Sequence, residues 1–186
     1  RMGRPKKGAL KQRATILFGD ESAFYLLPSV VRTWAKVGHT PILRPVTRRE
    51  HLSVASAISL GGQLTTKTQA TSFNGSGIVS FLSHLLQTVP GNIVLIWDGA
   101  KIHHCKLVKA FLKTPEASRL RLIRLPAYSP ELNPDEGVWH WLKRELGNAC
   151  CKSLQELTRK LRQAVATLRR KPPVIQAFFQ MAGLTD

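Results

Sequence analysis

The stretch at residues 92–104, NIVLIWDGAKIHH, constrains the fold more than any other part of the chain. Its five consecutive apolar residues, Ile93 to Trp97, are too few for a membrane span or a full helix. Their β-branched and aromatic content predicts a fully buried strand. That strand ends on an acid, because Asp98 follows Trp97 and Gly99 then turns the backbone. In open α/β sheets this carboxyl edge is where ligands collect. An Asp-Gly pair alone starts no more than a turn, so the weight of Asp98 depends on the other acids.

Residues 14–21 (ATILFGDE) predict a first strand, apolar up to Gly19 and ending on Asp20 and Glu21. Residues 23–27 and 32–36 read as short strand pieces separated by Pro28. Residues 52–60 and 63–68 flank Gly61-Gly62, a hairpin signal. The period then becomes helical over residues 74–89, through Ile78, Phe81, Leu82, Leu85 and Leu86, until Pro90-Gly91 stops it. After the Asp98 strand, residues 104–112 place Leu107, Val108, Phe111 and Leu112 on one helical face, and residues 120–125 alternate as a fifth strand. The order β-β-β-α-β-α-β-α implies a mixed five-stranded α/β sheet flanked by helices.

Residues 126–134 form a Pro-rich loop leading into another helix. Asn133 serves as its N-cap, Pro134 suits its first position, and Asp135 and Glu136 fall in its first turn. Val138, Trp141, Leu142 and Leu146 face the core, and Glu136, His140 and Lys143 share another face. Ser153 with Glu156 forms a capping box for a last long helix. One side of that helix is a leucine-rich seam, and the other carries Arg159, Lys160, Arg162, Arg169 and Arg170. Pro172-Pro173 ends it, and residues 174–181 form a short final helix.

Charge narrows the partner. The 186 residues carry 28 Lys and Arg against 11 acids, a net charge of +17. Such an excess repels itself unless a polyanion offsets it, which points to nucleic acid, with a membrane surface as the competing reading. No run reaches the roughly 20 apolar residues of a spanning helix, and no signal peptide is evident, so the expected location is cytoplasmic, with no membrane partner. Three cysteines, two of them adjacent, make no disulfide framework. Their spacing with His103 and His104 lacks the paired ligands of a zinc site.

Three acids occupy comparable places: Asp20 ending the first strand, Asp98 ending the fourth, and Glu136 opening the helix after the fifth. Each has a simpler reading as a turn or cap residue. Glu21 is an alternative to Asp20, and Asp135 reads as a helix-dipole acid beside Glu136. Their joint occurrence in the right element order is what those readings leave unexplained. If the first and fourth strands are neighbours, the carboxylates converge and repel unless divalent cations join them. Hard oxygen donors suit Mg²⁺ or Mn²⁺, and paired ions clamp the attacking and leaving oxygens of a phosphodiester.

The segments FGDES, RTWAKVG, WDGAKIHHCKLVKAFL and LPAYSPELNPDEGVWHWLKREL resemble the catalytic domain of DDE transposases, in the bacterial insertion-sequence branch of the mariner-like superfamily. The resemblance runs from about residue 14 to residue 146. It implies a ribonuclease-H-like fold and a catalytic, metal-binding triad of Asp20, Asp98 and Glu136 that holds two Mg²⁺ ions, with Mn²⁺ as a substitute. It further implies DNA strand cleavage and strand transfer, a homodimer that synapses two element ends, and insertion at a TA dinucleotide. Thirty-seven residues separate Asp98 from Glu136, an interval compatible with the mariner-like pattern.

His103 matches a histidine common after the second acid and reads equally as a nucleic-acid contact or as a structural hydrogen-bonding residue, and Lys143 and Arg144 are further candidate nucleic-acid contacts. Two departures stand out. Gly99 replaces an Asn frequent after the second aspartate, and the helix-turn-helix region that relatives carry upstream is missing, so that poor or unspecific cutting by this chain alone is expected. A start on Arg rather than Met suggests a fragment, processing or an expression remnant. The expected organisation is a basic arm at residues 1–12, the catalytic domain at 13–150, and a basic helical extension packed on it at 151–186. A ribonuclease-H-like nuclease without strand transfer and a catalytically silent DNA-binding remnant are the alternative functions.

Overall fold

The computed structural model describes residues 14–27, 29–40, 42–44, 48–126 and 129–185. The basic arm and Pro28 lie outside them. Five strands form one sheet in the order β3-β2-β1-β4-β5, with β1 at Thr15–Tyr25, β2 at His51–Ser59, β3 at Leu64–Gln69, β4 at Ile93–Trp97 and β5 at Leu120–Arg124. The pairs β1–β2 and β2–β3 are antiparallel, whereas β1–β4 and β4–β5 are parallel. Among the described residues the α-helices in chain order are α1 at Gly75–Thr88, α2 at Lys106–Phe111, α3 at Glu136–Glu145, α4 at Leu154–Arg169 and α5 at Pro172–Met181.

Strand alternation divides the interior in two. Phe18, Val54, Ile58, Val94 and Ile96 join residues of α3, α4 and α5 on one face. Leu17, Ala55, Ala57, Leu95 and Trp97 join α1 and α2 on the other. A two-residue side-chain period on a sheet covered on both faces produces this split, and it explains why β4 reads as an unbroken apolar run. All five β4 residues are buried. Full burial of side chains of this size stabilises the fold by about 1.5–3 kcal/mol each.

β1 does not stop at its acid. It pairs with β4 only over Thr15–Phe18, but its antiparallel pairing with β2 continues to Tyr25 opposite His51. Asp20 therefore stands mid-strand, two residues past the point where β1 loses its parallel neighbour. The piece expected at residues 23–27 is partly this continuation, and residues 32–36 form no strand but run exposed. The hairpin forms as expected, with Gly62 at φ +81°, a conformation that a side chain strains. A Cβ there would also meet the ring and backbone of Pro172.

Local signals explain the helix ends. The Asn74 side chain accepts from the Gly77 N–H at 2.9 Å to cap α1. Ser153 Oγ accepts from the Glu156 N–H at 3.2 Å, and the Glu156 carboxylate accepts in return from the Lys152 N–H rather than from that of Ser153. The segment after Asp98 breaks into a 3₁₀ turn at Lys101–His104 and the short α2, leaving Leu107 exposed. On α3 the deeply buried tryptophan is Trp139 instead of Trp141, because Trp139 enters the face toward β1 and meets the Phe24 ring edge-on. Pro172-Pro173 open α5 as well as ending α4, since proline is tolerated in a first helical turn.

Candidate active site

Where β1 and β4 part, Asp20, Asp98 and Glu136 line one cleft of about 430 Å³, together with Gly99, Arg124 and Asn133. Three elements supply the acids: β1 carries Asp20, the turn after β4 carries Asp98, and α3 begins with Glu136. Asn133 sets the approach of α3, as its Nδ2 donates to the Gly19 carbonyl at 3.3 Å and its Oδ1 accepts from the Asp135 N–H at 3.2 Å. The helix entry is thereby tied to the residue before Asp20. One turn along α3 from Glu136, the Trp139 indole N–H donates to Asp20 Oδ2 at 2.9 Å.

Asp20 also accepts from the Glu21 N–H at 2.8 Å. Burial pushes its carboxyl up to about 7 despite those two donors, and the nearby Glu136 and Glu21 carboxylates add to the rise. Asp98 behaves oppositely. A hydrogen bond from His103 holds its carboxyl below the usual range, against some desolvation, with help from the Ala100 N–H and the Arg124 guanidinium.

His103 is 1% exposed and stacks on Trp97 with ring centroids 3.8 Å apart. Its Nδ1 lies 2.9 Å from Asp98 Oδ1, and its Nε2 lies 2.9 Å from Glu21 Oε1. Burial opposes its charge, but the bonds to Asp98 and Glu21 outweigh burial and raise it to about 9. Both ring nitrogens thus donate near neutral pH. With its nitrogens spent on carboxylates beneath the cleft, this His103 is an internal clamp on Asp98 and not a phosphate contact. Glu21 faces away from Asp20, as alternation along β1 requires.

Asp135 corrects a second expectation. Rather than serving only as a helix-dipole acid it is fully buried, with Oδ2 accepting from Ser56 Oγ at 2.6 Å and Oδ1 unpartnered. Burial raises its carboxyl well above the usual range despite the Ser56 bond. Asn133 does not cap the helix as a regular N-cap: α3 starts one residue after Asp135, and Asn133 caps the preceding turn. Lys143 lines a separate groove with Tyr25 and Leu146, and Arg144 is exposed in the last turn of α3.

Two residues that shape the site escaped the sequence reading. Arg124, last in β5, reaches the cleft because Gly99 has no side chain to block it; a Cβ on Gly99 would collide with the guanidinium. Trp139, which lies behind the cleft and donates to Asp20, is the second. Its spacing of three from Glu136 was the available signal, because residues at i and i+3 share a helix face.

The cleft offers a hard cation oxygen donors from three carboxylates, and a divalent ion there would offset the penalty that burial and Glu136 impose on Asp20. The donor chemistry fits such an ion. Among the described residues no three His, Cys, Asp or Glu side chains already stand as a ligand cluster.

A sheet with two antiparallel and two parallel pairings, presenting carboxylates where the first and fourth strands diverge, defines a ribonuclease-H-like fold. The family model described as DDE superfamily endonuclease matches residues 15–158, and the chain belongs to that family. A protein of Shigella sonnei, the insertion element IS630 uncharacterized 39 kDa protein, is 26% identical over 160 residues, covering 84% of this chain and 46% of that protein. The chain thus spans less than half the length of this curated relative. The Mos1 mariner paired end complex with Mg has a similar structure, with a TM-score of 0.67 and 17% identity over 91% of this chain and 53% of the other. The Mos1 transposase catalytic domain with Raltegravir and Mn superposes with a TM-score of 0.63 and 13% identity over 95% and 84% of the two chains. These likenesses show the shared fold that the sequence led us to expect.

Proposed function

We propose that this chain is the catalytic part of a transposase, which cuts a DNA strand at the end of a mobile element and joins the freed 3′-hydroxyl to target DNA. The observation that carries the reading is the meeting of Asp20, Asp98 and Glu136 in one cleft of a DDE superfamily endonuclease. These three would hold two Mg²⁺ ions, or Mn²⁺ in their place. When bound, such ions lower the pKa of a nucleophilic water or hydroxyl and stabilise the leaving oxygen.

The chain's own residues prepare that chemistry. Trp139 and the Glu21 N–H fix the two oxygens of Asp20, and His103 fixes Asp98. Asn133 ties the start of α3, and with it Glu136, to β1. Arg124 brings a guanidinium to the cleft, where it neutralises part of a phosphate's charge. Lys143 and Arg144 lie outside the cleft and serve flanking phosphates.

We read residues 13–150 as the catalytic domain and 151–186 as a basic extension, whose α4 and α5 share a core with β1 and β2. A homodimer joining two element ends in the bacterial cytoplasm completes the proposal. Among the described residues no helix is long and apolar enough to cross a membrane.

The test is a strand-transfer assay on a labelled precut duplex with Mg²⁺ or Mn²⁺, comparing wild type with Asp98→Asn. Joined products from wild type alone support the reading. Nicks without joining would make the chain a simple nuclease, and equal behaviour of the two proteins would discard the site.

A further inference from the structure

A second groove, of about 650 Å³, runs along the far edge of the sheet, away from the acid-lined cleft. Among the described residues β3 pairs only with β2, and its outer edge forms the floor, with α1 as one wall and α4 as the other. Lys67 and His84 approach from the α1 side, Arg162 and Arg169 from the α4 side, and none of the described lining residues is acidic. Lys67, Arg162 and Arg169 enter no ion pair among the described residues. Glu156, the one acid of α4, turns to Lys160 and to the Lys152 N–H. Burial lowers the His84 imidazole, and the adjacent Lys67 and Arg169 lower it further, as a cationic groove requires.

The track continues past this groove. Arg162 also lines an adjoining depression with Arg159. Arg159, Arg162 and Arg169 follow spacings of three and seven, which puts them on one stripe of α4 about 15 Å long. Backbone register fixes the relation to the cleft: Thr66 is opposite Ser56, and Ser56 is opposite Asp20. The groove is therefore level with Asp20 and two strands away, about 10 Å across the sheet.

We propose that the β3–α4 groove is a second nucleic-acid surface, which grips the phosphate backbone of duplex DNA without reading bases and apart from the strand being cut. Phosphates of one strand advance about 3.4 Å along the duplex axis, so a 15 Å row of guanidinium groups serves several in succession. An acidic peptide added to the open β3 edge fits less well. Arg169 Nε already donates to the Leu64 carbonyl at 3.0 Å and its Nη2 to Thr66 Oγ1 at 3.0 Å, so a guanidinium occupies the edge where a peptide would pair.

The proposal rests on the nucleic-acid reading above but not on catalysis, and its test is run without catalysis. The Asp98→Asn protein binds a fluorescent duplex of arbitrary sequence in chelator, and anisotropy follows binding from 50 to 200 mM salt. Lys67→Gln/Arg159→Gln/Arg162→Gln is compared with Lys106→Gln/Lys109→Gln/Lys113→Gln, which removes the same charge from the surface of α2 and the turn after it. Arg169 is kept because it braces β3, and circular dichroism melts verify folding.

The groove variant should lose about tenfold or more in affinity, and its log-log salt slope should fall by roughly two to three, at about 0.9 per phosphate contact. The control should lose much less. Equal losses in both variants, or none in the groove variant, overturn the proposal. So does a labelled poly-glutamate whose binding depends on the groove residues when that of the duplex does not. Failure of every protein to bind duplex would instead remove the nucleic-acid reading itself, and this groove with it.

Discussion

Trp139 donates its indole N–H to Oδ2 of Asp20 at 2.9 Å, so the helix that carries Glu136 also holds the carboxylate with which Glu136 shares the cleft. Trp139→Phe removes that donor and keeps most of the ring packed against Phe24. A hydrogen bond to a charged group contributes about 1.5–3 kcal/mol, so Mn²⁺ affinity measured by calorimetry should fall roughly ten- to a hundredfold. The rising limb of the cleavage pH profile should move to higher pH, because Asp20 becomes harder to ionise. An unchanged limb and unchanged affinity would show that Trp139 serves packing alone.

Asp20 costs the metal-free fold stability. Its carboxyl is raised to about 7, so between its ordinary value and 7 the folded chain binds a proton that the unfolded chain has released. Stability therefore falls as pH rises through that window. Asp20→Asn removes the ionisation and keeps an acceptor for Trp139. Metal-free Asp20→Asn should melt above wild type, with an advantage on the order of 2 kcal/mol greater at pH 8 than at pH 5. Saturating Mg²⁺ should narrow the gap by stabilising only wild type. A pH-independent difference in thermal melts would exclude the linkage.

His103 makes the opposite contribution. Its imidazole is raised to about 9, so its stabilisation is complete below the ordinary histidine value and is lost as pH rises through 9. His103→Gln offers one amide donor to two carboxylates and leaves the other without its partner. It should be less stable than wild type by about 2–4 kcal/mol at pH 6, with the difference shrinking toward pH 10. Its cleavage rate should drop as Asp98 loses its fixed orientation. Chemical denaturation at the two pH values checks the sign.

Much of this was legible because strand and helix periods differ, and the joint order of the elements implied a mixed sheet in which two strand-end acids meet if the first and fourth strands are neighbours. The reading failed where a residue's fate depends on a neighbour distant in sequence. β1 runs past Asp20 because β2 continues to pair with it after β4 has ended. Asp135 and Glu136 are adjacent acids, yet Ser56 on β2 receives one while the cleft receives the other. His103 was recognised as notable, but its role depends on Glu21, 82 positions earlier. No local pattern carries such pairings.

The adjacent acids of α3 separate the enzymatic reading most cleanly. Asp135 has one oxygen on Ser56 and one with no partner, and burial raises its carboxyl well above the usual range, which disfavours its charged form. Asp135→Asn preserves shape and can still accept from Ser56, and cleavage should stay within a fewfold of wild type. Glu136→Gln removes an anionic donor from the cleft. Loss of several kcal/mol of metal-assisted charge stabilisation corresponds to a rate drop of roughly 10²- to 10³-fold or more, with folding intact. Single-turnover cleavage of the two proteins at matched Mn²⁺ decides the assignment: the reverse order of activities would make Asp135 the third acid and require α3 to turn in the working complex.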